Sequence, residues 1–182
     1  MFFSKDLVNL EELLLNKNEL RSIDAKIFNG LSKITRLWLH NNRISSIDKN
    51  IFSDLISLTE LNLDSNQLKE INPRQFEGLV NLKTLSVKRN LLERLDSKLF
   101  SGLKGLRNVL FDDNRLTSID SSLFCCAPDL KQIWLTNNAI SSLDLKTFQG
   151  FNDLDEVRLA YNSLKSFDLK TFLGTFNLSG II

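Results

Sequence analysis

Among 182 residues, one histidine and two cysteines are the side chains best suited to nucleophilic or proton-transfer chemistry. His40 beside Cys125 or Cys126 would make a thiol nucleophile and its base, provided sulfur and ring nitrogen stood about 3 Å apart. The adjacent cysteines invite two further readings, a disulfide and a metal ligand pair. Neighbouring cysteines rarely satisfy ordinary disulfide geometry, and a zinc site needs further thiol or imidazole ligands that the nearby sequence does not offer. The pair therefore reads as two small apolar residues in a connecting segment. Carboxylates also recur, at Asp24, Asp48, Asp96, Asp120, Asp144 and Asp168, with Asn72 in the same series. Calcium takes about six to eight oxygens, and one acid per position is too few. Asp and Asn are turn and cap formers, so the series reads as local caps. Paired carboxylates in an apolar setting, a phosphate loop and zinc spacing are all absent from the sequence.

What these residues can do depends on the elements that carry them, and the elements repeat. A leucine-type residue opens a unit at Leu10, Ile34, Leu58, Leu82, Leu106, Leu130 and Leu154, every 24 residues without insertion. Each unit follows L-x-x-L-x-L-x-x-N-x-L-x-x-I-D-x-x-x-F, with substitutions at some positions. A fixed period of this length predicts a solenoid. Residues 1–182 read as one repeat domain, with residues 1–9 a partial N-terminal edge and the last unit incomplete at its end. The L-x-L core is short, apolar and alternating, which predicts a half-buried strand. Leu13/Leu15, Leu37/Leu39, Leu61/Leu63, Leu85/Val87, Val109/Phe111, Ile133/Leu135 and Val157/Leu159 are expected to point inward. Stacked strands at about 4.8 Å spacing would form one parallel sheet. His40 then lies on the outward rim and the cysteines on the outer side several rungs away, so a Cys–His dyad is excluded.

Two further residues recur in all seven units. Asn18, Asn42, Asn66, Asn90, Asn114, Asn138 and Asn162 follow the strand. An amide carries donors and an acceptor, so it suits backbone groups that the bend would leave unpaired. Phe28, Phe52, Phe76, Phe100, Phe124, Phe148 and Phe172 should stack as a spine beneath the outer side. Phe3 falls one residue out of register with that spine.

With these residues in place the chain resembles the leucine-rich repeat family. The 24-residue unit and its closing F-x-G-L, as in Phe28-Asn29-Gly30-Leu31 and Phe76-Glu77-Gly78-Leu79, are similar to the "typical" animal extracellular class. The similarity runs over residues 10–178. It implies an α/β leucine-rich repeat horseshoe with a parallel β-sheet on its concave side. The convex side is implied to be mostly irregular, with short helical pieces. The resemblance also implies binding of protein or glycan ligands. Two departures stand out. The cysteine-rich caps usual in extracellular members do not occur in the sequence. Units five to seven close on Cys126-Ala127, Gly150-Phe151 and Gly174-Thr175 where Gly-Leu is usual.

Function should lie in the outward strand residues. Between the inward pairs they run Leu14, Trp38, Asn62, Ser86, Leu110, Trp134 and Arg158. Both tryptophans of the chain share this register, and Trp is enriched at binding hot spots. It also stacks laterally on adjacent rungs as a strand-favouring aromatic, and Arg158 is placed to lie over Trp134 as a cation–π pair. His40, Asp64, Lys88, Asp112 and Tyr161 follow on the same rim. The candidate partner-binding face is therefore Trp38, Trp134, His40, Arg158, Tyr161, Asp64, Lys88 and Asp112, with no catalytic residue, metal or cofactor. Composition agrees. Hydrophobic residues make 42% and charged residues 25% of the chain, with a net charge of +1, and such a balance gives no support for nucleic-acid or polybasic membrane binding. No apolar run is long enough to cross a bilayer, and Met1-Phe2-Phe3 does not have the features of a secretion signal. Asn177-Leu178-Ser179 matches the glycosylation sequon. The expectation is a non-catalytic binding module of a secreted or cell-surface protein. The alternatives are an intracellular scaffold or regulatory adaptor, and the substrate-recruiting part of a larger enzyme.

Overall fold

The computed structural model describes residues 7–175 and 177–181. The positions of Phe3 and of the remaining N-terminal edge before Leu7 lie outside them. The alternating L-x-L segments form strands β1 (Glu12–Leu14), β2 (Arg36–Trp38), β3 (Glu60–Asn62), β4 (Thr84–Ser86), β5 (Asn108–Leu110), β6 (Gln132–Trp134) and β7 (Glu156–Arg158). An eighth, β8 (Gly180–Ile181), follows where the sequence repeat breaks off. All eight lie in one sheet in chain order. Each pair is parallel and offset by one 24-residue unit, as in Leu37↔Leu61 and Trp38↔Asn62. The backbone ladder runs past the strands: Leu15 N–H donates to Trp38 O at 2.9 Å and Lys17 N–H to His40 O at 2.9 Å.

Side-chain alternation divides this sheet as the sequence predicts. Leu37, Leu39, Leu61, Leu63, Leu85, Val87, Val109, Phe111, Ile133, Leu135, Val157 and Leu159 are buried, and so are the opening residues from Ile34 to Leu154. Leu13 and Leu15, on the first described rung, are partly buried.

The outer side consists of turns and two short 3-10 helices, Pro73–Phe76 and Leu169–Phe172. The recurring acid caps each of these segments. Asp24, Asp48, Asp96, Asp144 and Asp168 each accept a 2.8 Å bond from the backbone N–H two residues on. Asn72 does the same for Arg74 at 2.9 Å, and Gln75 returns a bond to the Asn72 N–H. The phenylalanines stack in two stretches. Phe28–Phe52–Phe76 have centroids 6.1 and 6.4 Å apart. Phe100–Phe124–Phe148–Phe172 follow at 5.8, 5.8 and 5.2 Å.

The asparagines do more than close their own bend. Asn90 Nδ2 donates to Val87 O and Lys88 O in its own unit and, at 3.0 Å, to Leu63 O in the preceding one. Its Oδ1 accepts the Leu68 N–H, again from the preceding unit, at 3.0 Å. The same two-way bridge recurs at Asn42, Asn66, Asn114, Asn138 and Asn162. Asn18, at the first described rung, bonds among the described residues to Leu15 O and Asn16 O. Asparagine therefore staples unit to unit.

One backbone feature had no signature in the repeat pattern. Lys17, Asn41, Ser65, Arg89, Asp113, Asn137 and Tyr161 all take φ between 52° and 58°. This left-handed region suits Asn and Asp and is costly for larger side chains. Each residue immediately precedes the ladder asparagine. That amide, by holding carbonyls two and three residues back, fixes the turn whatever the side chain at its apex.

Candidate binding face

The outward residues of the sheet are joined from rung to rung by polar contacts. Trp38 Nε1 donates to Glu60 on the next strand at 2.7 Å, and Trp134 Nε1 donates to Glu156 on the next strand at 2.9 Å. The two tryptophans thus use one device. Each lays its indole along the sheet and anchors it to the carboxylate 22 residues later. Both rings are half-buried. Around Trp134 the packing goes further. The Arg158 guanidinium carbon lies 3.6 Å from the ring centroid and the Lys88 ammonium 5.5 Å from it. Arg158 Nε also donates to Glu156 at 3.0 Å, so one carboxylate orients both the indole and the guanidinium. Trp38 packs against His40, with ring centroids 5.8 Å apart.

The next register carries the acids. Asp64 accepts the Lys88 N–H at 2.7 Å and the Ser86 hydroxyl at 2.6 Å, and its other oxygen lies 3.8 Å from the Lys88 ammonium. Asp112 repeats the backbone part of this, accepting the Thr136 N–H at 2.9 Å. His40 stands at the same register one rung before Asp64, and its Nδ1 is buried without a hydrogen-bond partner among the described residues. The Asp64 N–H, one repeat before the Lys88 N–H that Asp64 accepts, donates instead to Asn62 Oδ1 at 3.0 Å.

These contacts leave an open groove of about 380 Å³ along the sheet, lined by His40, Asn41, Asp64, Ser65, Lys88, Arg89, Asp112, Asp113, Trp134, Thr136 and Arg158. Six successive units contribute. Of the residues singled out in the sequence, His40, Asp64, Lys88, Asp112, Trp134 and Arg158 meet there. Trp38 adjoins the groove through His40 but does not line it. Tyr161 is 83% exposed, at a turn apex outside the lining. Glu60 and Glu156 were not singled out, although each sits 22 residues after a tryptophan, the same offset that joins ladder asparagines to backbone N–H groups.

Burial pushes the Asp112 carboxyl above its ordinary range, against the Thr136 bonds and the Lys88 charge that pull it down. A raised native value means that the folded state holds the proton more tightly than the unfolded state. The resulting stability is present at low pH and lost as pH rises through the native value. Asp112→Asn keeps an oxygen for the Thr136 N–H and removes the buried charge. Its urea midpoint should exceed that of the wild-type chain at neutral pH, and the gap should close on acidification. A gap that persists or widens in acid would contradict this reading of Asp112.

Cys125 and Cys126 lie in a connecting segment on the outer side, where the sequence places them, and both are exposed there, with sulfurs 3.2 Å apart. Among the described residues no group of three or more His, Cys, Asp or Glu side chains is arranged to hold a metal ion. No helix among them is long and apolar enough to cross a membrane.

Comparison with known families turns on the same repeat. The Leucine rich repeat model matches residues 8–68, 56–116 and 105–164. The chain belongs to the leucine-rich repeat family. The sheet, with one strand per repeat, is this family's solenoid, and such domains are typically protein-interaction modules. Comparison with curated proteins by sequence gives no match. Among solved structures, that of a TLR13–ssRNA13 complex superposes with a TM-score of 0.86 at 29% identity over 92% of this repeat chain and 24% of that one. The leucine-rich repeat domain of APL1B gives 0.76 at 26% identity, over 87% of this chain and 44% of that one. A chain of the LRIM1/APL1C complex gives 0.79 at 21% identity, over 88% and 30%, a likeness of fold alone. The chain thus spans less than half the length of each of these leucine-rich repeat structures.

Proposed function

We propose that this leucine-rich repeat chain is a non-catalytic recognition module of a secreted or cell-surface protein and holds a protein or glycan partner on its concave sheet. The groove built by six successive units carries the proposal. Small-molecule sites are mostly enclosed. This one is open and elongated, which suits an extended surface. Trp38 and Trp134 stand four strands apart in the sheet order, about 20 Å at the spacing of parallel strands. Their hydrogen bonds to Glu60 and Glu156 fix the rings before any partner arrives, which lowers the entropic cost of binding. Binding ssRNA13 belongs to TLR13. In this groove Asp64, Asp112 and Asp113 interleave with Lys88, Arg89 and Arg158, a balance unlike the basic stripe that a phosphate backbone requires.

Truncation of the aromatic anchors tests the proposal. Trp38→Ala and Trp134→Ala should each weaken affinity for a partner recovered from native extract by about 2 kcal/mol or more. Changes at Lys98 and Lys146, exposed on the opposite side, should leave it unchanged. Normal affinity in both tryptophan variants with loss in the lysine variants would move the binding site to the convex face.

A further inference from the structure

The outer turn of the fifth unit carries a feature separate from the groove. Phe124 and Ala127 are buried and pin the two ends of the Cys125–Cys126 pair to the core. Two turn bonds, Cys125 N–H to Ser122 O and Ala127 N–H to Phe124 O, both 3.1 Å, hold the segment between them. Both thiols are exposed, and their sulfurs are 3.2 Å apart. Cys126 occupies the register that Gly102 and Gly150 occupy in the adjacent units, and a Cβ built on either of those glycines meets nothing within 4 Å. Exposure of both residues leaves the sulfurs open to a group arriving from solvent.

A disulfide within the pair is a poor use of this geometry. The peptide bond between the cysteines is trans, which sets their Cα atoms about 3.8 Å apart. That lies below the separation usual in disulfides. Bridging by a third atom removes the need for an S–S bond and fits sulfurs that are already adjacent.

We propose that Cys125 and Cys126 form a chelating dithiol site for a trivalent thiophilic centre of the organoarsenic type. With phenylarsine oxide as the probe, two S–H bonds break and two As–S bonds form. The oxide oxygen takes both protons and leaves as water, and arsenic stays trivalent, so no oxidant is required. The hydrogen bond shared with the Cys126 thiol raises the Cys125 pKa above its ordinary value.

The test uses the full chain, reduced, with intact mass and competitive release as readouts. One phenylarsenic group should bind per chain with loss of two hydrogens. It should withstand excess 2-mercaptoethanol and be released by 2,3-dimercaptopropanol. Cys125→Ser and Cys126→Ser should each lower apparent affinity by on the order of 10²-fold or more, because the second sulfur then contributes no effective concentration. Both cysteines are exposed, and circular dichroism would verify that the variants fold. Retention by either single variant equal to that of the wild type would overturn the proposal. Release from the wild type by the monothiol, or an arsenic bridging two chains, would do the same.

Discussion

Phe100→Ala should lower the unfolding free energy by about 3–5 kcal/mol, the cost of opening a large cavity in a packed core. Phe100 is fully buried, stacks on Phe124 at 5.8 Å and meets Phe111 at 6.3 Å. Its ring therefore joins the spine to the inward face of the sheet. Phe172 stacks on Phe148 and meets Phe167 near the last rung, and it is 8% exposed. Phe172→Ala should cost much less, because the end of a solenoid frays before its middle. Urea unfolding of the two variants side by side measures the difference. Equal losses would contradict a stability that is summed along the repeat axis.

Asn90→Ala has the next largest expected effect on stability. The side chain is 5% exposed and makes four bonds, two of them to the preceding unit. Its loss leaves the Leu68 N–H without a partner between buried rungs and removes one of the two bonds to the Leu63 carbonyl, which Asn66 still holds. Leaving a buried polar group unsatisfied costs about 1–3 kcal/mol. Asn18→Ala should cost far less, because Asn18 is exposed and its bonds among the described residues stay within its own turn. A fall in the urea midpoint for Asn90→Ala with little change for Asn18→Ala is the expected pair of results. An unchanged midpoint for Asn90→Ala together with lost partner binding would transfer the ladder from stability to recognition.

Much of the fold was legible because the sequence states it seven times. A leucine, asparagine or phenylalanine that returns every 24 residues is a packing requirement repeated, and the inward pairs, caps and ring stack stand where that pattern put them. The eighth strand is also implicit, since Leu178 lies one period after Leu154 and Gly180 pairs with Glu156. The left-handed row was not legible. Lys17, Ser65, Arg89 and Tyr161 do not form one residue class, because their conformation is imposed by the amide that follows. The groove was legible in part. Outward register alone placed Trp38, Trp134 and the rim residues on one face. It did not show that Glu60 and Glu156 hold the indoles, or that Tyr161 stands apart. Side-chain reach across rungs decides those contacts, and the repeat pattern carries no record of it. The repeat register placed Cys125 and Cys126 in an outer connecting segment, but not that the turn buries Phe124 and Ala127 on either side and leaves both sulfurs in solvent.

Site-directed photo-cross-linking measures most directly whether the concave sheet binds a partner. A photoreactive residue at Thr136, which lines the groove and contributes a backbone N–H to Asp112, would be compared with the same residue at Lys98 and at Lys146. Irradiation in native extract should give a discrete adduct from position 136 and none from 98 or 146, and Trp134→Ala in the same chain should abolish it. Adducts from 98 or 146 alone, indifferent to Trp134→Ala, would contradict recognition through the sheet.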